Sequence, residues 1–143
     1  MTVAASVLGA FLAGLAGDAP AVVVQAPDTP VKIDRATVLT TGDTPPVILY
    51  AATSQTDQDL DQFTVIVFVF DADGTLKARQ TAPGRRTLEA HTTKYSTIVL
   101  DGSPIMPTDQ LVIGVNQAQR VNSDAWWRGD IQPAAEAAVK RKK

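Results

Sequence analysis

The chain contains no cysteine among its 143 residues. This absence excludes disulfide bonds, zinc sites built on thiolates, a cysteine nucleophile and an N-terminal cysteine that carries lipid. Only one histidine, His91, is present, so metal sites that need paired histidines are excluded as well. The fold must therefore be held by its apolar core and its backbone hydrogen bonds.

Basic residues are scarce outside the C-terminus. The last four residues, Lys140, Arg141, Lys142 and Lys143, hold four of the 13 basic side chains. The rest of the chain has nine basic and 15 acidic residues, a net charge of −6. Such an acidic body does not favour nucleic acid as a partner. The basic tail suits anionic lipid head groups or an acidic protein surface, although many such tails are simply solvated.

Charge is absent from residues 2–17, which are rich in apolar and small side chains. Residues 1–19 are interpreted either as a secretory leader, cleaved after Ala16, or as a retained apolar helix. In the second interpretation, small residues at every fourth position, among them Gly9 and Ala13, form a face for close packing or membrane contact. Both interpretations remain open, and both place the protein in the bacterial periplasm, in the cell envelope or outside the cell.

Residues 31–131 consist of short apolar runs separated by turn signals about every ten residues. The pattern predicts an all-β fold, an immunoglobulin-like antiparallel β-sandwich of about seven strands. In the first of these strands, alternation places Val31, Ile33, Arg35 and Thr37 on one face. Residues 20–30, rich in proline and alanine, are predicted to be a semi-extended linker or to hold one short edge strand. Residues 132–143 are predicted to be a short helix followed by the basic tail.

The run "FTVIVFVF", from Phe63 to Phe70, is apolar at nearly every position. Because side chains alternate along a strand, both faces of this strand are apolar and both must be covered. Val65, Val67 and Val69 are therefore predicted to be deeply buried.

Two acidic stretches raise the question of calcium. The stretch Asp71-Ala72-Asp73-Gly74 fits a turn in which Asp71 bonds its own backbone and Gly74 is left-handed. It fails as an EF-hand loop, because Val69 and Gln80 stand where acidic ligands are needed. The second stretch, with Asp57, Asp59 and Asp61, has ligand spacing but lacks the glycine and the closing glutamate. These three aspartates are weak candidates for a looser calcium site, and no cofactor is predicted.

The stretch "WWRGD" supplies the remaining candidates for partner binding. On a strand Trp126 and Trp127 face opposite ways, so one indole is expected to fill the core and the other to be available to a sugar or a protein. Arg128 begins an Arg-Gly-Asp tripeptide and is a candidate as well. His91 is predicted to be a surface residue in a threonine-rich strand. Because the Gly-x-Ser-x-Gly elbow of serine hydrolases is absent, His91 is given no catalytic role.

The stretch "VILYAATSQTDQDLDQFTVIVFVFDADGTLKARQTAPG" carries a family resemblance. The region from Val47 to Leu100 resembles small bacterial immunoglobulin-like modules of the FxLYC or fibronectin type III sort. The matching residues are Asp71, Gly74, Pro83 and Gly84, whereas the two alanines of "YAAT" stand where those modules often have an asparagine. The resemblance implies a sandwich fold with a binding or scaffolding role in the envelope or outside the cell, and it implies no catalytic residue.

Three functions are compatible with these observations. The first is a non-enzymatic envelope or secreted immunoglobulin-like domain that binds a partner protein. The alternative is a structural subunit of a membrane complex or filament, which associates with its own copies and is anchored by its N-terminal helix. The third is a calcium- or carbohydrate-binding module.

Overall fold

The computed structural model describes residues 16–41, 44–102 and 104–140. Within them the chain forms nine strands and one helix. The strands are β1 (Ala16–Pro20), β2 (Val22–Val23), β3 (Val31–Thr41), β4 (Thr44–Ser54), β5 (Leu60–Phe70), β6 (Leu76–Pro83), β7 (Thr93–Val99), β8 (Gln110–Arg120) and β9 (Trp126–Arg128), and the helix is α1 (Gln132–Ala138). No helix within this part of the chain has the length and apolar character needed to cross a membrane.

The strands form two sheets. Sheet A has the order β1-β3-β4-β7, and all its neighbours are antiparallel. In sheet B, β8 pairs with β5 on one side and with the two short strands β2 and β9 on the other. Strand β6 pairs with the far side of β5. The pairs of sheet B are also antiparallel, apart from the short parallel contact of β2 with β8. The prediction of an all-β sandwich is confirmed at this level.

The main core lies between the two sheets and draws large side chains from both, including Ile48 and Tyr50 from sheet A. From β5 it receives Phe63, Val65, Val67 and Val69. The three valines are 0%, 0% and 5% exposed, as predicted from the alternation of the run.

The opposite face of β5 belongs to a second apolar cluster on the outside of sheet B. Ile66, Phe68 and Phe70 pack there with Val112 of β8 and with apolar residues in and beside α1. The helix side of the cluster consists of Ile131, Ala135 and Val139, which are spaced by four residues and so share one face of a helix. The short helix therefore covers the second apolar face of β5, and both faces are buried as expected.

A bulge interrupts the alternation predicted for β3. Val31 and Ile33 face the core, but Arg35 is exposed. The register between β3 and β4 shifts between Ile33 and Arg35, and one extra residue in a strand inverts which side chains point inward. After the shift the buried residues are Ala36 and Val38.

Residues 20–30, predicted to be a linker or to hold one short edge strand, contain the two-residue strand β2, and β1 precedes it. Strand β1 runs antiparallel to β3, from Ala16 opposite Thr41 to Pro20 opposite Thr37. Strand β2 follows at once and pairs with β8. A proline is tolerated at the end of an edge strand, because its missing N–H removes no ladder bond there. Residues 1–15 lie outside the described residues, so the leader and the retained helix both stay predictions.

Val67→Asp is expected to lower the free energy of unfolding by at least about 3 kcal/mol, because it places an unpaired carboxylate in the main core. Thr81→Asp is the matched control, since Thr81 is exposed on the neighbouring strand β6. Urea denaturation of both variants checks this. Equal losses for the two variants would contradict the burial of β5.

Candidate functional site

The three candidate calcium ligands do not converge on one point. Each carboxylate contacts a different group of the connection between β6 and β7. The contacts are Asp57 Oδ1 with His91 Nε2 at 2.7 Å, Asp59 Oδ1 with the Ala90 N–H at 2.9 Å, and Asp61 Oδ1 with Arg86 Nη2 at 3.3 Å. In the described ranges no three acidic or histidine side chains are grouped so that they could hold a metal ion.

These contacts hold a connection that has an unfavourable backbone. Thr87 and His91 have φ angles of 58° and 57°, in the left-handed region that β-branched residues disfavour most. The Thr87 N–H donates to the Asp61 carbonyl at 2.9 Å, and Lys94 Nζ donates to the Thr87 carbonyl at 2.9 Å. The prediction that His91 lies in a strand is therefore wrong. His91 lies in a turn, and β7 begins only at Thr93.

The stretch Asp71 to Gly74 is a turn between β5 and β6. The Gly74 N–H donates to the Asp71 carbonyl at 3.0 Å, and Gly74 has a φ of 87°. The Asp71 carboxylate accepts the N–H groups of Asp73 and Thr75, both at 2.9 Å. The prediction of a turn closed by Asp71 is confirmed, because this carboxylate holds the backbone of its own loop.

The two tryptophans lie on β9 at the edge of sheet B, and neither is fully exposed. Trp127 packs against the main core, and its Nε1 is buried with no hydrogen-bond partner in the described part of the chain. A Cβ at Gly129 would lie 2.9 Å from the Trp127 ring, so the glycine makes room for the indole. Trp126 is partly buried, whereas an exposed indole was expected, and Arg128 is exposed.

Of the basic tail, the structure describes only Lys140. Its backbone is held by the Gln110 amide, which accepts from the Lys140 N–H and donates to the Lys140 carbonyl, both at 2.9 Å. Lys140 is exposed just beyond α1. Residues 141–143, Gly9 and Ala13 lie outside the described residues, so their role in partner binding stays a prediction.

Sequence reasoning missed the outer face of sheet A. Within the described residues this face carries four of the seven large apolar side chains that are exposed. They are Leu39, Leu49, Tyr95 and Val99. A signal was present in "VILY" of β4, where four successive apolar residues imply two apolar faces, as in β5. The sequence alone did not indicate that β4 lacks a cover on its outer side.

The exposed side chains adjoin one another across three strands. Leu39 of β3 lies opposite Val47 of β4, which in turn lies opposite Val99 of β7. In the next row on the same face, Leu49 lies between Thr37 and Thr97. Side chains directly opposite each other on adjacent strands are in contact range, so these residues form one continuous surface that is mainly apolar, with two threonines beside Leu49. We call it the open face.

Tyr95 extends the open face and is held in place by Arg35. Arg35 Nη2 donates to the Tyr95 hydroxyl at 2.8 Å, and the guanidinium lies 5.8 Å from the centre of the ring. Tyr95 is 51% exposed, and its two contacts with Arg35 favour one orientation of the ring. A rigid aromatic side chain loses little conformational entropy when it binds, which suits it as an anchor.

Two titratable groups near β7 have shifted pKa values. Burial raises the pKa of Tyr50, while the nearby Ser96 side chain and the Arg85 charge oppose this shift. The Tyr50 hydroxyl makes no hydrogen bond of normal geometry with the described residues. At the surface, the Lys94 ammonium, 2.8 Å from the carboxylate, lowers the pKa of Glu89.

A small cavity opens between β6 and the connection that follows β7. Its volume is about 140 Å³, and its apolar wall includes Val67, Val69, Leu100 and Ile105. Gln80 also lines the cavity, and its side chain links β6 of sheet B to the end of β7 in sheet A. The two sheets are thus tied along one side by a side-chain amide.

Comparison of the chain with protein-family models, with curated proteins and with solved structures returned no match.

Asp59→Ala is expected to lower the free energy of unfolding by about 1 kcal/mol, because the Ala90 N–H loses its acceptor. Asp57→Ala should have little effect, since that carboxylate is almost fully exposed and exposed ion pairs contribute little. Millimolar calcium should leave the Tm of the unmodified protein unchanged. Differential scanning calorimetry of all three proteins checks this. A calcium-dependent rise of several degrees that Asp59→Ala abolishes would contradict the geometry described above.

Proposed function

We propose that the chain is a non-enzymatic, immunoglobulin-like domain that binds a partner protein through the open face of sheet A. The observation that carries this proposal is the contrast between the two outer faces. Sheet B is covered by α1 and the residues beside it, whereas sheet A presents Leu39, Leu49, Tyr95 and Val99 to solvent. Clustered apolar side chains of this kind on a soluble domain are typical of binding surfaces.

The order of the strands supports the immunoglobulin-like assignment. After the hairpin β3-β4 in sheet A, the chain crosses to the hairpin β5-β6 in sheet B. It returns to β7 beside β4, crosses again to β8 beside β5, and ends with β9 beside β8. Such crossing between sheets is the Greek-key connectivity of immunoglobulin-like sandwiches. Strands β1 and β2 would then be additions at the N-terminal side.

The composition of the open face supports a protein partner. Protein interfaces have an apolar centre, enriched in aromatic residues and arginine, and a polar rim. Here Leu49 lies near the centre, and Tyr95 and Arg35 supply an aromatic anchor with its cation. The Lys32–Asp34 ion pair, at 3.4 Å, lies at the end of β3 farther from the apolar row. A location in the envelope or outside the cell remains part of the proposal, as does a second contact through the basic tail.

A structural subunit anchored through its N-terminus is the second candidate. The observation that favours it is the position of β1 at the edge of sheet A. The uncharged residues 2–15 lead straight into this strand at Ala16. An anchor there would hold sheet A close to the membrane or to the neighbouring subunit. The third candidate was a calcium- or carbohydrate-binding module, and the separate contacts of Asp57, Asp59 and Asp61 give its calcium-binding form no comparable support.

Site-specific photo-crosslinking in the native cells tests the proposed function. A photo-reactive amino acid at position 49 of the full-length chain should give an adduct of defined mass, because this position lies in the open face. Position 81 is the control, since Thr81 is exposed on sheet B. Leu39→Glu in the same chain should abolish the adduct at position 49, because it places a charge at the apolar interface. Equal adducts at both positions, or none at position 49, would contradict the proposal.

A further inference from the structure

We propose that β7, at the edge of sheet A, pairs with β7 of a second copy, so that two sheets A join into one continuous antiparallel sheet. The two copies would be related by a two-fold axis through Thr97. This contact uses the edge of the sheet, whereas the proposed function uses its outer face. The two proposals can therefore fail separately.

The backbone of β7 bonds to β4 on one side, and on its other side no strand of the described chain pairs with it. Towards β4, the Leu100 N–H donates to the Pro46 carbonyl at 2.8 Å, and the Thr92 carbonyl accepts from the Ser54 N–H at 3.1 Å. The even-numbered residues of β7 thus face β4. In an antiparallel ladder the intervening residues direct their N–H and C=O groups the other way. The odd-numbered residues from 93 to 101 therefore face the open edge of the sheet.

The other edges of the sandwich are short or interrupted strands, whereas β7 is a longer and more regular one. Strand β1 has five residues and ends in proline, and β2 and β9 have two and three residues. Strand β6 carries two basic residues, ends in proline and pairs with β5 through a bulge. Short strands, prolines, charges and bulges are the usual protections of a sheet edge. Strand β7 has seven residues, no proline, no glycine and no register shift against β4. Its one charged residue, Lys94, is engaged by the Glu89 carboxylate and the Thr87 carbonyl.

Side chains from β6 and its connection occupy this edge as a peptide would. Gln80 Nε2 donates to the Val99 carbonyl at 2.7 Å, and Gln80 Oε1 accepts from the Asp101 N–H at 3.3 Å. A primary amide has the same donor and acceptor as a peptide group. Arg85 Nη1 approaches the Tyr95 carbonyl at 3.5 Å. The Gln80 amide thus already bonds two backbone groups of this edge. Because Gln80 is a flexible side chain, a pairing strand can displace it.

The edge is complementary to itself. Thr97 is the midpoint of the residues 93–101, and antiparallel pairing about it places Tyr95 opposite Val99 of the second copy. Both side chains lie on the outer face, and each is 51% exposed. Pairs of an aromatic and a β-branched residue are among the favourable cross-strand neighbours. The two-fold axis produces this pair twice, which is why a second copy fits better than an unrelated strand.

Charge supports the same register. Arg85 lies at the Tyr95 end of the edge, through its contact with the Tyr95 carbonyl, and Asp101 lies at the other end. Among the described residues neither side chain has an ion-pair partner. Antiparallel pairing about Thr97 brings Arg85 of each copy towards Asp101 of the other. Two opposite-charge contacts then flank the shared strands, which favours this register over a slipped one.

Charges at position 97 provide the sharpest test. Sedimentation of the full-length chain over a concentration series should show a reversible dimer. Thr97→Lys and Thr97→Glu should each raise the dissociation constant about fivefold or more, because like charges face each other across the axis. An equimolar mixture of the two variants should restore or exceed the original affinity, because unlike charges then meet.

Two further variants control this test. Thr37→Lys places the same charge in the same row of the outer face, two strands away from the edge, and should leave the dimer unchanged. Gln80→Ala removes the amide that competes for Val99 and Asp101, and should lower the dissociation constant about fivefold. A chain that stays monomeric throughout overturns the proposal. A dimer whose dissociation constant does not change with the charge at position 97 overturns it as well, since such a dimer would form through residues 1–15 or the open face.

Discussion

The structure depends on covering both faces of β5. This strand carries apolar residues on both faces, so it is stable only when it lies between two apolar layers. One layer is the core side of sheet A, and the other is supplied by α1 with Ile131 and Val139. Seven residues are too few for a stable isolated helix, so α1 depends on β5 as much as β5 depends on α1.

Because the C-terminal helix covers sheet B, the outer faces of the two sheets differ in exposure. Sheet B is buried on both sides at its centre, whereas sheet A has a buried inner face and an apolar outer face that the described residues leave open. Sheet A also ends in β7, an edge strand without proline, glycine or a register shift. The two surfaces proposed for association therefore belong to the same sheet.

Local patterns predicted much of the fold, and contacts between distant residues decided the rest. The burial of Val65, Val67 and Val69 and the turn at Asp71 follow from alternation and turn chemistry within a few residues. The bulge after Ile33 could not be predicted, because it depends on how β3 meets β4, and it reversed the side on which Arg35 lies.

The candidate sites were less predictable than the fold. The spacing of Asp57, Asp59 and Asp61 suggested convergence, but each carboxylate meets a different part of a loop that lies about 30 residues away in sequence. The tryptophans of β9 were predicted to bind a partner because of their residue type, but both are partly buried at the edge of sheet B. The open face was visible in "VILY" only as an apolar run, because its exposure depends on which sheet the helix covers.

Methyl NMR of the full-length chain with a soluble paramagnetic agent measures whether the open face is exposed. Strong relaxation enhancement is expected for the methyl groups of Leu39 and Leu49, and little for those of Ile66, Ile131 and Val139. Pairing along β7 would leave this result unchanged, since both leucines lie on strands inside the edge. Equal protection of the two groups of methyls would mean that sheet A is already covered, and the contrast between the two sheets would not exist.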